Sequence, residues 1–131
     1  VEVSRKLARK FFGRRFNCAQ SVILGVSKAL KIEVPKEVVK TAGVFGGGIG
    51  GSGCLCGALA GAVMLIGYLS PKSNEETAEF FRIFKERFKS SCCRVLRGGM
   101  DFKDPKLKEH CAKITEETAG LLTEFLMGDK E

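Results

Sequence analysis

With 131 residues, 44% of them apolar, the chain is long enough to bury one substantial core and too hydrophobic for a disordered segment. The net charge of +7 is confined to residues 1–40, where ten Lys and Arg stand against three Glu, while residues 72–131 hold twelve charges of each sign. A single domain covering 1–131 is expected, with no uniformly basic surface of the kind that wraps a polyanion.

Residues 4–12 read as a first helix, because Leu7, Phe11 and Phe12 recur at helical spacing and Gly13 ends the run. Arg5, Lys6, Arg9, Lys10, Arg14 and Arg15 then form its solvated face. A phosphate-binding patch is the competing reading, but no helix-turn-helix, zinc-finger or aromatic single-strand-binding pattern accompanies it, so nucleic acid is not the expected partner. The basic residues 1–15 contain no apolar stretch ending in a small-residue cleavage site, and the expected compartment is the cytosol.

Asn17 with Gln20 three residues on has the pattern of a capping box and opens a second helix, whose buried stripe is Val22, Ile23, Val26 and Leu30. Cys18 falls in its first turn. Pro35 suits the first position of a third helix over 35–45, with Val38, Val39 and Ala42 towards the core. Gly46 to Gly53 holds six glycines in eight residues and predicts a tight loop.

From Cys56 to Leu69 the residues are apolar and small, which predicts a central helix buried on most sides. The absence of charge between Thr41 and Pro71, and the GxxxG spacing of Gly57 and Gly61, raise the alternative of a membrane span. The glycine loop consumes half of that stretch, leaving about sixteen apolar residues where a span needs roughly 20, so no membrane span is expected.

Asn74, ahead of Glu75 and Glu76, predicts the cap of a helix carrying Phe80, Phe81, Phe84 and Phe88, a stripe that serves the core or the contact surface of a homodimer. Asp104 and Pro105 supply the cap and first position of a terminal helix to Met127, with Leu107, Cys111, Ile114, Leu121, Leu122 and Phe125 largely on one side. No segment alternates at period two. The fold class is all-α, a bundle of about six helices around the buried central one.

Six cysteines punctuate this scaffold: Cys18, Cys54, Cys56, Cys92, Cys93 and Cys111. In a cytosolic protein they point to metal binding or redox work rather than structural disulfides. An exception stays open, because Asn and Gln number only three while Lys, Arg and Glu abound, a bias of thermophile proteins, among which intracellular disulfides are commoner. Cys18 and Cys56, each in the first turn of a helix, are expected to be favoured as thiolates by the positive helix end. Arg94 and Arg97 bring positive charge to Cys93. Cys54-x-Cys56 matches neither the zinc-ribbon nor the CxxC spacer, and Cys92 and Cys93 seldom bridge each other. His110, about 100° around the helix from Cys111, is expected at the surface or behind the site.

Gly46, Gly48 and Gly51 satisfy GxGxxG, but a helix rather than a strand precedes them and no GK[ST] follows, so no nucleotide is expected. The loop is read instead as bringing backbone N–H groups of residues such as Gly53 and Gly57 close to the sulfurs.

Phe16-Asn17-Cys18-Ala19-Gln20, the glycine run into Cys56-Gly57-Ala58-Leu59-Ala60-Gly61, then Cys93-Arg94 and Cys111 resemble the redox-active protein family with four signature cysteines, the C_GCAxxG_C_C family. The resemblance covers nearly the whole chain and implies redox activity with an unidentified partner. By position it makes Cys18, Cys56, Cys93 and Cys111 the signature set, expected to converge at one site; four thiols are more than a two-electron exchange needs, so they are read as thiolate ligands of an iron–sulfur cluster or other metal for electron transfer or redox sensing, with redox-active thiols without metal as the alternative. Cys54 and Cys92 are then additions, as resolving thiols or a second pair. The chain has no CxxCH, and covalent haem is not implied.

Overall fold

The computed structural model describes residues 1–96 and 104–127, and of Cys93 and Arg94 the backbone alone. Six main helices and one single-turn helix account for these residues, and no strand occurs among them: α1 (Glu2–Phe12), α2 (Cys18–Ala29), α3 (Lys36–Thr41), α4 (Gly57–Leu69), α5 (Ser73–Phe88), α6 (Cys93–Leu96) and α7 (Pro105–Met127). The class is all-α, as expected.

Helix α4 is the core. Ala58, Leu59, Ala60, Ala62, Leu65 and Ile66 are all buried, and α2, α5 and α7 pack around it. Its weak amphipathicity follows from this, since a helix covered on several sides needs no polar face. Phe80 and Phe84 of α5 are fully buried, with Phe80 edge-on to Phe125 at 5.5 Å between ring centres, so these two serve the core. Phe81 stays partly exposed, in a surface groove with Val63 and Met64. No helix among the described residues is long and apolar enough to cross a membrane.

The termini of the bundle are joined through α1 and α7. The buried Ser4 and Thr123 hydroxyls bond at 2.7 Å, and the Arg9 guanidinium spans Glu116 at 2.7 Å and Glu109 at 2.5 Å. Arg5 also reaches Glu116. Part of the basic face of α1 is therefore answered by carboxylates of α7, which weakens it as a phosphate-binding patch.

The capping box opens α2 as read: Asn17 Oδ1 accepts from Gln20 N at 2.9 Å and Gln20 Oε1 accepts from Asn17 N at 3.0 Å. The same two side chains donate outward, Gln20 Nε2 to Val39 O and Asn17 Nδ2 to Gly43 O, both at 3.1 Å. That capture explains a departure from expectation. The third helix stops at Thr41, and residues Ala42–Phe45 tighten into a 3-10 turn whose carbonyls serve the start of α2. Only Ala42 of this segment is buried, with Val38 and Val39 half-buried. A second correction concerns α5, which begins at Ser73 with Lys72 at the cap position and no side-chain cap, so Asn74 lies inside the first turn. At α7 the expected cap is present, with Asp104 Oδ1 accepting from Lys106 N at 2.9 Å.

Candidate functional site

Three of the four signature cysteines meet at one point. Cys18 opens α2, Cys56 sits at the cap position of α4, and Cys111 lies in the body of α7; with Gly57, Leu96, His110 and Ile114 they line a cavity of about 20 Å³. Glycine is what lets α2 and α4 approach. A Cβ on Gly57 would stand 3.2 Å from Cys18 Cβ and 2.7 Å from Phe45 O, and one on Gly61 would press into the Ala19 backbone. The Cys-Gly-Ala-x-x-Gly pattern is thus a contact surface, with Gly57 and Gly61 one turn apart beneath the first turn of α2.

Cys18 and Cys111 share this cavity, and the Thr115 hydroxyl, one turn after Cys111, donates to Cys111 O at 2.8 Å. Cys18 is held protonated, its pKa well above the ordinary 9.0: first by a hydrogen bond with Cys111, then by burial, then by the negative charge that Cys56 and Cys111 would carry. Thr115 opposes this weakly. The expectation of an ionised Cys18 at the helix end is therefore reversed, because sulfur neighbours and desolvation outweigh a helix-end field worth about 1 kcal/mol. His110 is on the cavity wall, its Nε2 at 2.5 Å from Leu96 O and, facing a carbonyl, acting as the donor.

Cys54 and Cys92 form a disulfide with each other. Of the two readings given for them, resolving thiols or a second pair, the bridge agrees with the second pair. The bridge ties the glycine loop to the α5–α6 connection beside the site: Cys56 N donates to Ser91 O at 2.7 Å, and Cys92 N donates to Ser90 Oγ at 3.1 Å. Three of the loop's N–H groups, Gly53 among them, serve the loop itself rather than sulfur. Gly53 N donates to Gly47 O and Gly51 N to Gly46 O, both at 3.0 Å, and Ile49 N to Cys54 O at 2.9 Å. Gly53 is absent from the cavity lining whereas Gly57 is part of it. Cys93 begins α6, whose Leu96 forms part of the cavity wall; its side chain lies outside the described residues.

The donor set bears on a metal or cluster. Among the described residues no three Cys, His, Asp or Glu are spaced to hold a metal ion. The cavity is small, about 20 Å³, and the side chain of Cys93, the fourth cysteine of the expected set, lies outside the described residues.

Sequence reasoning missed Thr115, Leu96 and Ile114. Thr115 was findable, since it follows Cys111 by four residues and shares its helix face.

These features define a class, an all-helical protein with thiols from three helices gathered on one small cavity. The chain matches, over residues 16–125, the family model described as "Putative redox-active protein (C_GCAxxG_C_C)", and it belongs to that family. It is similar to an uncharacterized protein of Archaeoglobus fulgidus, 23% identical over 147 residues that cover 99% of this chain and 97% of that protein. No solved structure matches it.

Proposed function

We propose that the chain is a one-domain thiol–disulfide redox protein whose reactive pair is Cys18 and Cys111, with Cys56 beside them. The observation that carries this is that Cys18, Cys56 and Cys111, from three different helices, line one small cavity. In the oxidising direction one thiol loses its proton and attacks a sulfur of a partner disulfide, whose S–S bond breaks to release one thiol. The second cysteine then attacks the mixed disulfide, forming Cys18–Cys111 and releasing the second thiol. Two electrons and two protons pass from the pair to the partner disulfide. A buried, protonated Cys18 is slow to start this exchange, which suits a centre that reacts only with a bound partner.

The test is mass spectrometry of the whole chain before and after diamide. Oxidation removes two hydrogens beyond those already lost to Cys54–Cys92, dithiothreitol restores them, and peptide mapping finds Cys18 joined to Cys111. Unchanged mass, or linkage only elsewhere, overturns the assignment.

A thiolate-bound metal ion is the second reading, favoured by the convergence of three sulfurs and the start of α6 at Cys93 near the same cavity. Cys18, Cys56, Cys93 and Cys111 would hold it, and the ion would keep the thiolates ionised. It requires the sulfurs to rearrange around the ion. Anaerobic purification followed by iron, zinc and acid-labile sulfide analysis decides it: a stoichiometric metal lost in Cys→Ser variants of this set establishes the reading, and its absence removes it.

A further inference from the structure

The sulfur cavity cannot itself admit a substrate, yet it shares a wall with a groove that can. Leu96, His110 and Ile114 line both spaces, and on their far side Arg87, Phe88, Lys113 and Glu117 complete an open groove of about 300 Å³. That is the lower end of the range for small-molecule sites and far short of a protein interface. The hydrogen bond from His110 to Leu96 O is part of the partition between the two spaces.

The charges in the groove are unequal. Arg87 pairs with Glu117 and also lies over the Phe88 ring, 5.0 Å from its centre. Lys113 is exposed, and the carboxylate that its charge acts on, Glu109 four residues earlier, also pairs with Arg9. Among the groove's lining residues two cations, Arg87 and Lys113, stand against one carboxylate, beside an apolar floor of Phe88, Leu96 and Ile114.

We infer that this groove binds a low-molecular-weight anionic disulfide, its carboxylate at Lys113 and Arg87 and its stem along Phe88 and Ile114, and that the S–S bond reaches the cysteine pair when the His110–Leu96 hydrogen bond between the two spaces opens. The inference rests on the thiol–disulfide reading. The bound disulfide supplies the oxidising equivalents: one cysteine thiolate attacks it, breaking its S–S bond and releasing one anionic thiol, the other cysteine attacks the resulting mixed disulfide to form Cys18–Cys111 and release the second, and the pair's two protons pass to the two thiols.

The full chain, with Cys54–Cys92 intact, is oxidised at low ionic strength by three probes: anionic dithiodiglycolate, neutral bis(2-hydroxyethyl) disulfide and cationic cystamine. Each rate is divided by the probe's rate with a small neutral thiol, to remove intrinsic reactivity. The expected order is anionic, neutral, cationic, spread over about tenfold and collapsing at about 0.5 M salt. Lys113→Gln flattens the order and Lys113→Glu inverts it. Equal rates for the three probes, or an unchanged order in Lys113→Glu, overturn the groove while leaving the cysteine pair standing. If no probe joins Cys18 to Cys111, the pair fails. The groove is then decided by adipate, which replaces the S–S of dithiodiglycolate with two methylenes: saturable NMR shifts at Phe88, Lys113 and Ile114 that vanish in Lys113→Glu support it, and their absence overturns it.

Discussion

Gly61 of α4 lies against Ala19 of α2 so closely that a Cβ on Gly61 would stand 2.3 Å from the Ala19 carbonyl oxygen and 2.8 Å from its Cα. Both obstacles are backbone, and neither can swing aside. Gly61→Ala gains about 1 kcal/mol of helix propensity and loses more to overpacking, for a net destabilisation of roughly 2 kcal/mol or more. Denaturant midpoints measure that loss. A second effect separates this from ordinary strain: α2 is pushed away from α4, so Cys18 becomes easier to alkylate in the folded protein.

Asn17 caps α2 and also holds the 3-10 turn through Gly43 O. Asn17→Ala removes both roles and costs about 1–2 kcal/mol, whereas Asn17→Asp keeps the cap and loses only the outward donation. Urea unfolding of the two variants gives the comparison, with Asn17→Asp expected in between wild type and Asn17→Ala.

The Cys18 thiol is pushed up chiefly by its bond to Cys111. Cys111→Ala therefore lowers the Cys18 pKa, and at pH 7.5 (chosen about a unit below an ordinary thiol) Cys18 reacts faster with iodoacetamide once local opening is accounted for. The sign for stability follows. A group whose folded pKa lies above its unfolded value stabilises the fold fully below the unfolded value and loses that contribution as pH rises towards the folded one. Wild-type stability should fall as pH rises above about 8.5, more steeply than in Cys18→Ala. Parallel pH profiles of the two proteins would contradict the assignment.

The Cys54–Cys92 bridge closes a loop with a sequence separation of 38. Reduction, or the double change Cys54→Ser with Cys92→Ser, lowers stability by about 3 kcal/mol, and the double variant loses its response to reductant in thermal melts. Oxidation of Cys18 with Cys111 persists in that variant, because the pair lies on other elements. Loss of this oxidation would make the bridge part of the exchange path.

Legibility in the sequence followed the range of the interaction. The Asn17–Gln20 box and the Asp104 cap act within three residues and were readable at once, as was the burial of α4 from its run of small apolar residues. The end of α3 was not, because carbonyls of Val39 and Gly43 are claimed by side chains some twenty residues away. The start of α5 was misplaced by two residues because Asn74 suits a cap as well as a first turn. At the site, the order of cysteines indicated which residues to watch, but the pairing of Cys54 with Cys92 depends on where the glycine loop carries Cys54. The protonation of Cys18 depends on neighbours from α4 and α7, which helix position alone does not reveal.

Cys18 stands near the beginning of the chain and Cys111 near its end, and joining them turns an open string into an almost closed ring with the Cys54–Cys92 link inside it. Nested rings of this kind keep an unfolded chain small. The two oxidation levels would then migrate differently on a denaturing gel run without reductant, so the electron count of this centre becomes visible as a hydrodynamic size.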